Sequence, residues 1–204
     1  MQITDLYQTK ITCSTYNANI DSTDTVITVK LIDFNGNAVT GKSVTLTCDK
    51  GYFNKNGSTT ISGTTTKSIT ATTNSSGEIT ATWTASEWGL CTFSANNIHN
   101  QVNVKGWKVV QTINDKGVTI KSNGQLALIT IIKTGVTCNA WTTFTTFNSS
   151  YTPEHGIRFA KNFADSELDN THLYITGNTI NSPGALSNKS LDTSVMYKLK
   201  NPLY

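Results

Sequence analysis

The chain has 204 residues, 37% hydrophobic, 14% charged and 9% aromatic, with a formal net charge of +3. That is apolar material for one large or two small cores, with no apolar run long enough to span a membrane as a helix. The small charge and the single arginine, Arg158, exclude a nucleic-acid binder that works by neutralising phosphates.

Thr, Asn and Ser together supply 75 residues. Thr favours strands and the other two favour turns, so the composition predicts an all-β protein. The N-terminus, MQITDLYQTK, shows no basic start, apolar core or small-residue cleavage site, so no secretory signal is read there. Cys13, Cys48, Cys91 and Cys138 form no CxxC pair, which argues against a disulfide scaffold and against zinc. They read as small buried hydrophobes. Cys48 and Cys91 both fall on inward-facing positions, where a contact across two sheets is the open alternative.

From Thr25 the chain runs TVITVKLIDFNGNAVTGKSVTLTCDKGYF. Val29 and Leu31 alternate with Thr28, Lys30 and Ile32, a period-2 strand with one apolar face. Asn35-Gly36 then supplies the positive-φ residues of a tight hairpin. Val44, Leu46 and Cys48 alternate next, followed by the polar GSTTISGTTTKSIT. In TTNSSGEITATWTAS, Gly77 marks a turn and Ile79, Ala81 and Trp83 share a face, with Trp83 expected in the core. Cys91, Phe93 and Ala95 are in phase in WGLCTFSANN, and Val102 and Val104 close the segment. Trp88, beside Gly89 at a turn, is expected to be partly exposed. Six or seven short strands separated by turn signals predict a β-sandwich.

This stretch, roughly 20–106, resembles the Ig-like repeats of the invasin/intimin type in VKLIDFNGNAVTGKSVTLT, TTNSSGEITATW and the Gly-led WGLCTFSAN. The resemblance implies a spacer or display domain without catalysis.

Residues 1–106 balance seven lysines against seven acids, so the whole net charge lies in 107–204. No Pro- or Ser-rich linker marks the join at Gly106, which predicts close-coupled domains. Strand-like segments follow: WKVVQ, GVTIKS, QLALITIIK, TCNAWTTFTTF, HGIRFA, THLYIT and SVMYKL. Ser122-Asn123-Gly124 and Gly177-Asn178 provide hairpin turns. Leu126 to Ile132 is apolar on both faces, so this strand is expected to be covered on both sides. Lys161 to Leu168 is the one candidate for a short helix.

Residues 107–204 resemble the C-terminal β-sandwich at the tips of phage tail fibres and baseplate receptor-binding proteins. The features are NGQLALITIIKTG, then YTPEHGIRF, then LYITGNTI, then the terminal SNKSLDTSVMY. The fold expectation is therefore two β-sandwiches, Ig-like over 1–106 and jelly-roll-like over 107–204. The resemblance implies a homotrimer that binds a host cell-surface glycan or protein alongside other virion proteins. It implies a place on the virion, with a cellular surface adhesin as the rival reading.

Catalytic patterns are missing. His99, His155 and His172 are scattered, and no HExxH, GxSxG or Gly-rich phosphate loop occurs. Asp165, Glu167 and Asp169 place carboxylates at alternating positions, as Ca²⁺ ligands do, but lack the EF-hand loop and its glycine, so a solvated acidic loop is expected. No cofactor or metal is expected, nor catalysis, nor membrane insertion. A carbohydrate-active enzyme is the weakest alternative, because nothing brings two carboxylates together.

Binding is favoured, because sugars present apolar C–H faces edged by hydroxyls, which aromatic rings and polar side chains match. Phe144 is in phase with Cys138 and Ala140 and should point inward, leaving Trp141 outward. Tyr151, His155 and Arg158 flank Pro153 in the next loop. Trp141, Tyr151, His155 and Arg158 are thus the candidate receptor-binding residues. The competing reading packs Trp141 and Tyr151 at a trimer interface and pairs Arg158 with an acid.

Overall fold

The computed structural model describes residues 7–160, 172–182 and 184–204. Strands dominate throughout. The helices among the described residues are two 3-10 turns, Asn114–Lys116 and Ser149–Tyr151, and none is long and apolar enough to cross a membrane. The chain divides into two compact units, Met1–Gly106 and Trp107–Tyr204. The helix expected over Lys161 to Leu168 and the acidic trio Asp165, Glu167 and Asp169 lie outside the described residues.

The first unit holds β1 (Tyr7–Cys13), β2 (Asn17–Asn19), β3 (Thr25–Asp33), β4 (Ser43–Cys48), β5 (Tyr52–Asn56), β6 (Thr59–Thr60), β7 (Ser68–Thr72), β8 (Glu78–Thr84), β9 (Gly89–Ala95) and β10 (Ile98–Lys105). They form two sheets, ordered β1-β3-β8-β5-β6 and β2-β10-β9-β4-β7. The antiparallel core of each sheet and the parallel pairing of β2 with β10 give the arrangement of an immunoglobulin-like sandwich. Period-2 alternation does the sorting: Ile27, Val29 and Leu31 of β3, Ile79, Ala81 and Trp83 of β8, and Cys91, Phe93 and Ala95 of β9 are all buried. Trp83 meets Phe93 edge-on at 5.2 Å between centroids, and its ring N–H donates to the Lys50 carbonyl at 2.9 Å.

Three local expectations change here. Asn35-Gly36 does make a tight turn, with Gly36 at φ +84° and the Asp33 carboxylate accepting from the Asn35 and Asn37 amides. Those Asn37 hydrogen bonds hold the Asp33 carboxyl below its usual value. The turn closes on a single bridge, Ile32 with Ala38, and the chain then crosses to the other sheet, so no long hairpin forms. Trp88 is buried rather than partly exposed: it is 9% exposed, because its ring N–H reaches the Gly106 carbonyl at 3.0 Å. Cys48 and Cys91 do not face each other across the sandwich. They lie on adjacent strands of one sheet, where Cys48 is in register with Phe93, and both are free thiols. Burial pushes the Cys48 thiol up to about 12 and raises that of Cys91 as well, so both stay protonated and inert near neutral pH.

The second unit holds β11 (Lys108–Ile113), β12 (Val118–Ser122), β13 (Leu126–Cys138), β14 (Thr142–Thr146), β15 (Ile157–Ala160), β16 (His172–Thr176), β17 (Thr179–Ser182) and β18 (Leu186–Lys198). Its sheets run β11-β12-β13-β18 and β14-β17-β16-β15. The chain leaves the first sheet after β13 and returns to it after β17. Pair β13·β18 therefore lies in one sheet and β14·β17 in the other, the jelly-roll-like feature of this unit. Between the sheets pack Val118, Ile120, Ile129 and Ile131 from one side and Phe144, Leu173, Ile175 and Ile180 from the other. The turn at Asn123 is fixed from within. Ser122, fully buried, donates to the Leu126 carbonyl at 2.8 Å and accepts from the Gly124 amide at 3.0 Å.

The run Leu126 to Ile132 is covered on one face only. Ala127, Ile129 and Ile131 are fully buried, whereas Leu126 and Leu128 are half-buried and Ile132 is 64% exposed. The apolar second face of β13 belongs to an open sheet surface, because the second sheet covers only one side of it.

Candidate functional site

The outward face of the sheet β14-β17-β16-β15 brings several polar and aromatic groups together. Alternation in β16 sends Leu173 and Ile175 into the core and leaves His172 and Tyr174 on the other face. Register then aligns Arg158 with Tyr174, Tyr174 with Asn181, and Asn181 with Thr143. One row of side chains therefore crosses four strands. Thr143 donates to the Asn181 side-chain oxygen at 3.0 Å, and the Asn181 amide donates to Thr179 at 3.1 Å. The Arg158 guanidinium lies 5.9 Å from the centre of the Tyr174 ring, within cation–π range.

Trp141 completes the site from the turn that precedes β14. Its backbone sits at φ +60°, a left-handed conformation that a bulky residue rarely adopts, and its amide donates to the Ser182 carbonyl at 2.8 Å. The ring is 81% exposed. Trp141, Arg158, His172 and Tyr174 together line a hollow of about 360 Å³. Among the described residues no carboxylate lines it. A smaller hollow of about 230 Å³ elsewhere in this unit is lined by Asp115, Lys116, Lys133 and Cys138, among others. There Lys116 is already paired with Asp115 at 3.6 Å.

Of the four residues singled out in the sequence, the fold brings Trp141 and Arg158 together. Tyr151 is drawn elsewhere: it is half-buried against the core of the unit, and its carbonyl accepts from the Tyr197 hydroxyl at 2.7 Å. His155 is exposed in the turn before β15. That turn approaches the site, since a Cβ placed on Gly156 would stand 3.2 Å from the Tyr174 hydroxyl, but His155 does not line the hollow. Sequence reasoning missed His172, Tyr174 and Asn181. The alternation in THLYIT was the available signal, because it separates His172 and Tyr174 from Leu173 and Ile175.

Among the described residues no group of three or more His, Cys, Asp or Glu could hold a metal ion. The arrangement offers two aromatic faces, one permanent positive charge, an imidazole and a neighbouring amide–hydroxyl pair. Those are the means of a recognition surface for a polar ligand with apolar faces.

The chain is thus a two-unit, all-β protein with an aromatic and basic hollow on an outward sheet face. No protein-family model matches it, and no curated protein does. Among solved structures it is similar to the Yersinia pseudotuberculosis adhesin InvE, with a TM-score of 0.41 and 18% identity over 94% of this chain and 60% of that one. A second is the surface layer protein SbsC, domains 4–9, with a TM-score of 0.29 and 15% identity over 94% of this chain and 31% of that one. The chain spans less than two thirds of either.

Proposed function

We propose that the protein is a non-catalytic attachment protein, that its second unit binds a glycan on a cell surface, and that its first unit serves as a spacer. The observation that carries this reading is the exposed Trp141 ring beside Arg158 and Tyr174 on an outward sheet face. A tryptophan presented by a strained turn gains nothing for the core, yet it offers a sugar ring a flat apolar surface. The hydroxyl and amide of Thr143 and Asn181 are placed along the same row for hydroxyl recognition. Labelled full-length protein on a glycan array is the direct test. Binding to a subset of glycans is expected, with Trp141→Ala lowering the apparent affinity about tenfold. Absence of binding, equal binding by the variant, or release of sugar from the array overturns the reading.

The setting we propose is the tail fibre or baseplate of a tailed virus, with a cellular surface as the rival; the sequence resemblance of residues 107–204 supports the former. Labelling of the parent particle in the electron microscope separates the two. Self-association as a homotrimer belongs to the same reading, since weak glycan contacts become useful when several copies act together. In its support, Val109, Lys121, Leu128 and Met196 form one row across the open face of the β11-β12-β13-β18 sheet. Val109 and Met196 there are 50% and 55% exposed. Light scattering at tens of micromolar should then report about three times the 22.1 kDa chain mass, and a monomer defeats this part.

A further inference from the structure

We infer that the hollow at Trp141 is built for an acidic saccharide, one whose carboxylate is taken by Arg158; the inference rests on the glycan-binding reading above. Several lysines stand within 4 Å of a carboxylate, among them Lys30 with Glu78, Lys67 with Glu87, Lys116 with Asp115 and Lys198 with Glu154. Arg158, the one arginine, has no such partner among the described residues. Its recorded contact is the face of Tyr174, which supports the flat guanidinium while leaving its N–H edges available. A guanidinium held in this way is pre-organised for a planar two-oxygen anion, because its parallel N–H groups match a carboxylate in a bidentate fork.

Charge counting narrows the ligand further. Among the described residues the hollow carries one permanent positive charge and is lined by no lysine. A dianionic phosphate would call for more than one cation to offset its desolvation, whereas a single carboxylate is matched by a single arginine. The remaining walls are the Trp141 and Tyr174 rings, suited to the C–H faces of a sugar, and the imidazole of His172, suited to a hydroxyl. A volume of about 360 Å³ is at the small end of ligand sites, so it fits the terminal unit of a saccharide rather than a long chain. The ligand class is therefore a saccharide ending in a uronic or sialic acid.

The test compares one oligosaccharide in three forms against the full-length protein by calorimetry: the free acid, its methyl ester, and a counterpart carrying a sulfate ester on a neutral terminal sugar. The free acid is expected to bind about tenfold or more tightly than the methyl ester, as the loss of a charge-assisted hydrogen-bond pair implies. Arg158→Gln should abolish that preference, while Trp141→Ala should weaken acid and ester alike and leave their ratio unchanged. Equal binding of acid and ester by the unaltered protein overturns the inference without needing any variant, and leaves the glycan-binding reading standing. Retention of the preference by Arg158→Gln overturns it too, as does a sulfated form that binds as tightly as the acid. If no form binds, and the glycan array is also blank, the parent reading has failed and this one with it.

Discussion

Trp83→Ala is expected to remove about 3–5 kcal/mol from the stability of the first unit. The side chain is fully buried between the two sheets, and its removal leaves a large cavity that strand backbones on either side cannot close. The edge-on contact with Phe93 at 5.2 Å is lost, worth about 0.5–1.5 kcal/mol within that total. The Lys50 carbonyl also loses a donor, although the Cys91 thiol, 3.2 Å away, still supplies a weak one. For a unit of this size each 1 kcal/mol lowers the midpoint by about 4–8 °C. A calorimetric scan of the full chain should show one transition moved down by some 15 °C or more. A shift below about 5 °C would mean that Trp83 is not the centre of the core.

Gly117→Ala should be of similar size in the second unit, through the backbone instead of the core. Gly117 ends the 3-10 turn Asn114–Lys116 in the left-handed region, at φ +62°. Its carbonyl accepts from the Ile132 amide at 2.9 Å, which brings the turn down onto the middle of β13. A Cβ here would lie 2.0 Å from the Ile132 carbonyl oxygen. The neighbour is main chain in a paired strand and cannot rotate away. The conformational penalty of about 1–2 kcal/mol adds to the cost of displacing β13, for a total of about 2–5 kcal/mol. Urea unfolding followed by Trp141 and Trp107 fluorescence is the measurement. An unchanged midpoint would show that the turn can lift off the sheet freely.

The sandwich of the first unit was legible because its strands are one-sided. Where every second residue is apolar, as in TVITVKL or EITATWT, burial follows from the backbone's period of two. Legibility failed where position depends on a partner distant in the chain. Trp88 is inside because of a carbonyl at Gly106, and nothing in its own surroundings in the sequence says so. Leu128 and Ile132 are as apolar as Ile129 and Ile131, so the text cannot say which face of β13 is left open.

The site divides in the same way. Trp141 was placed outward by counting from Cys138 through Ala140 to Phe144, yet the strand stops at Cys138. Ala140 is exposed, and a left-handed residue at Trp141 and an irregularity between Thr143 and Thr145 break the alternation. Phe144 is buried, but not for the reason of phase. The contact of Arg158 with Tyr174 depends on the register of Ile157 with Ile175, which the intervening sequence does not encode locally. Tyr151 was chosen for its place in an irregular loop, but its ring finds apolar neighbours there, and burial outweighs sequence position.

The parallel pairing of β2 with β10 bears on how the first unit answers mechanical load. These strands lie towards the opposite ends of the unit's chain and run side by side in the same direction, Asn17 to Asn19 along Asn103 to Lys105. Tension that pulls the two ends of this unit apart drags the strands in opposite directions along their common axis. The hydrogen bonds that tie them, Asn103 to the Tyr16 carbonyl and Ile20 to the Lys105 carbonyl, stand across that axis and are strained together instead of opening one after another. Shear of this kind needs a larger force than peeling, because the bonds share the load. Once load has passed β1, the unit would thus resist extension at the β2–β10 pair.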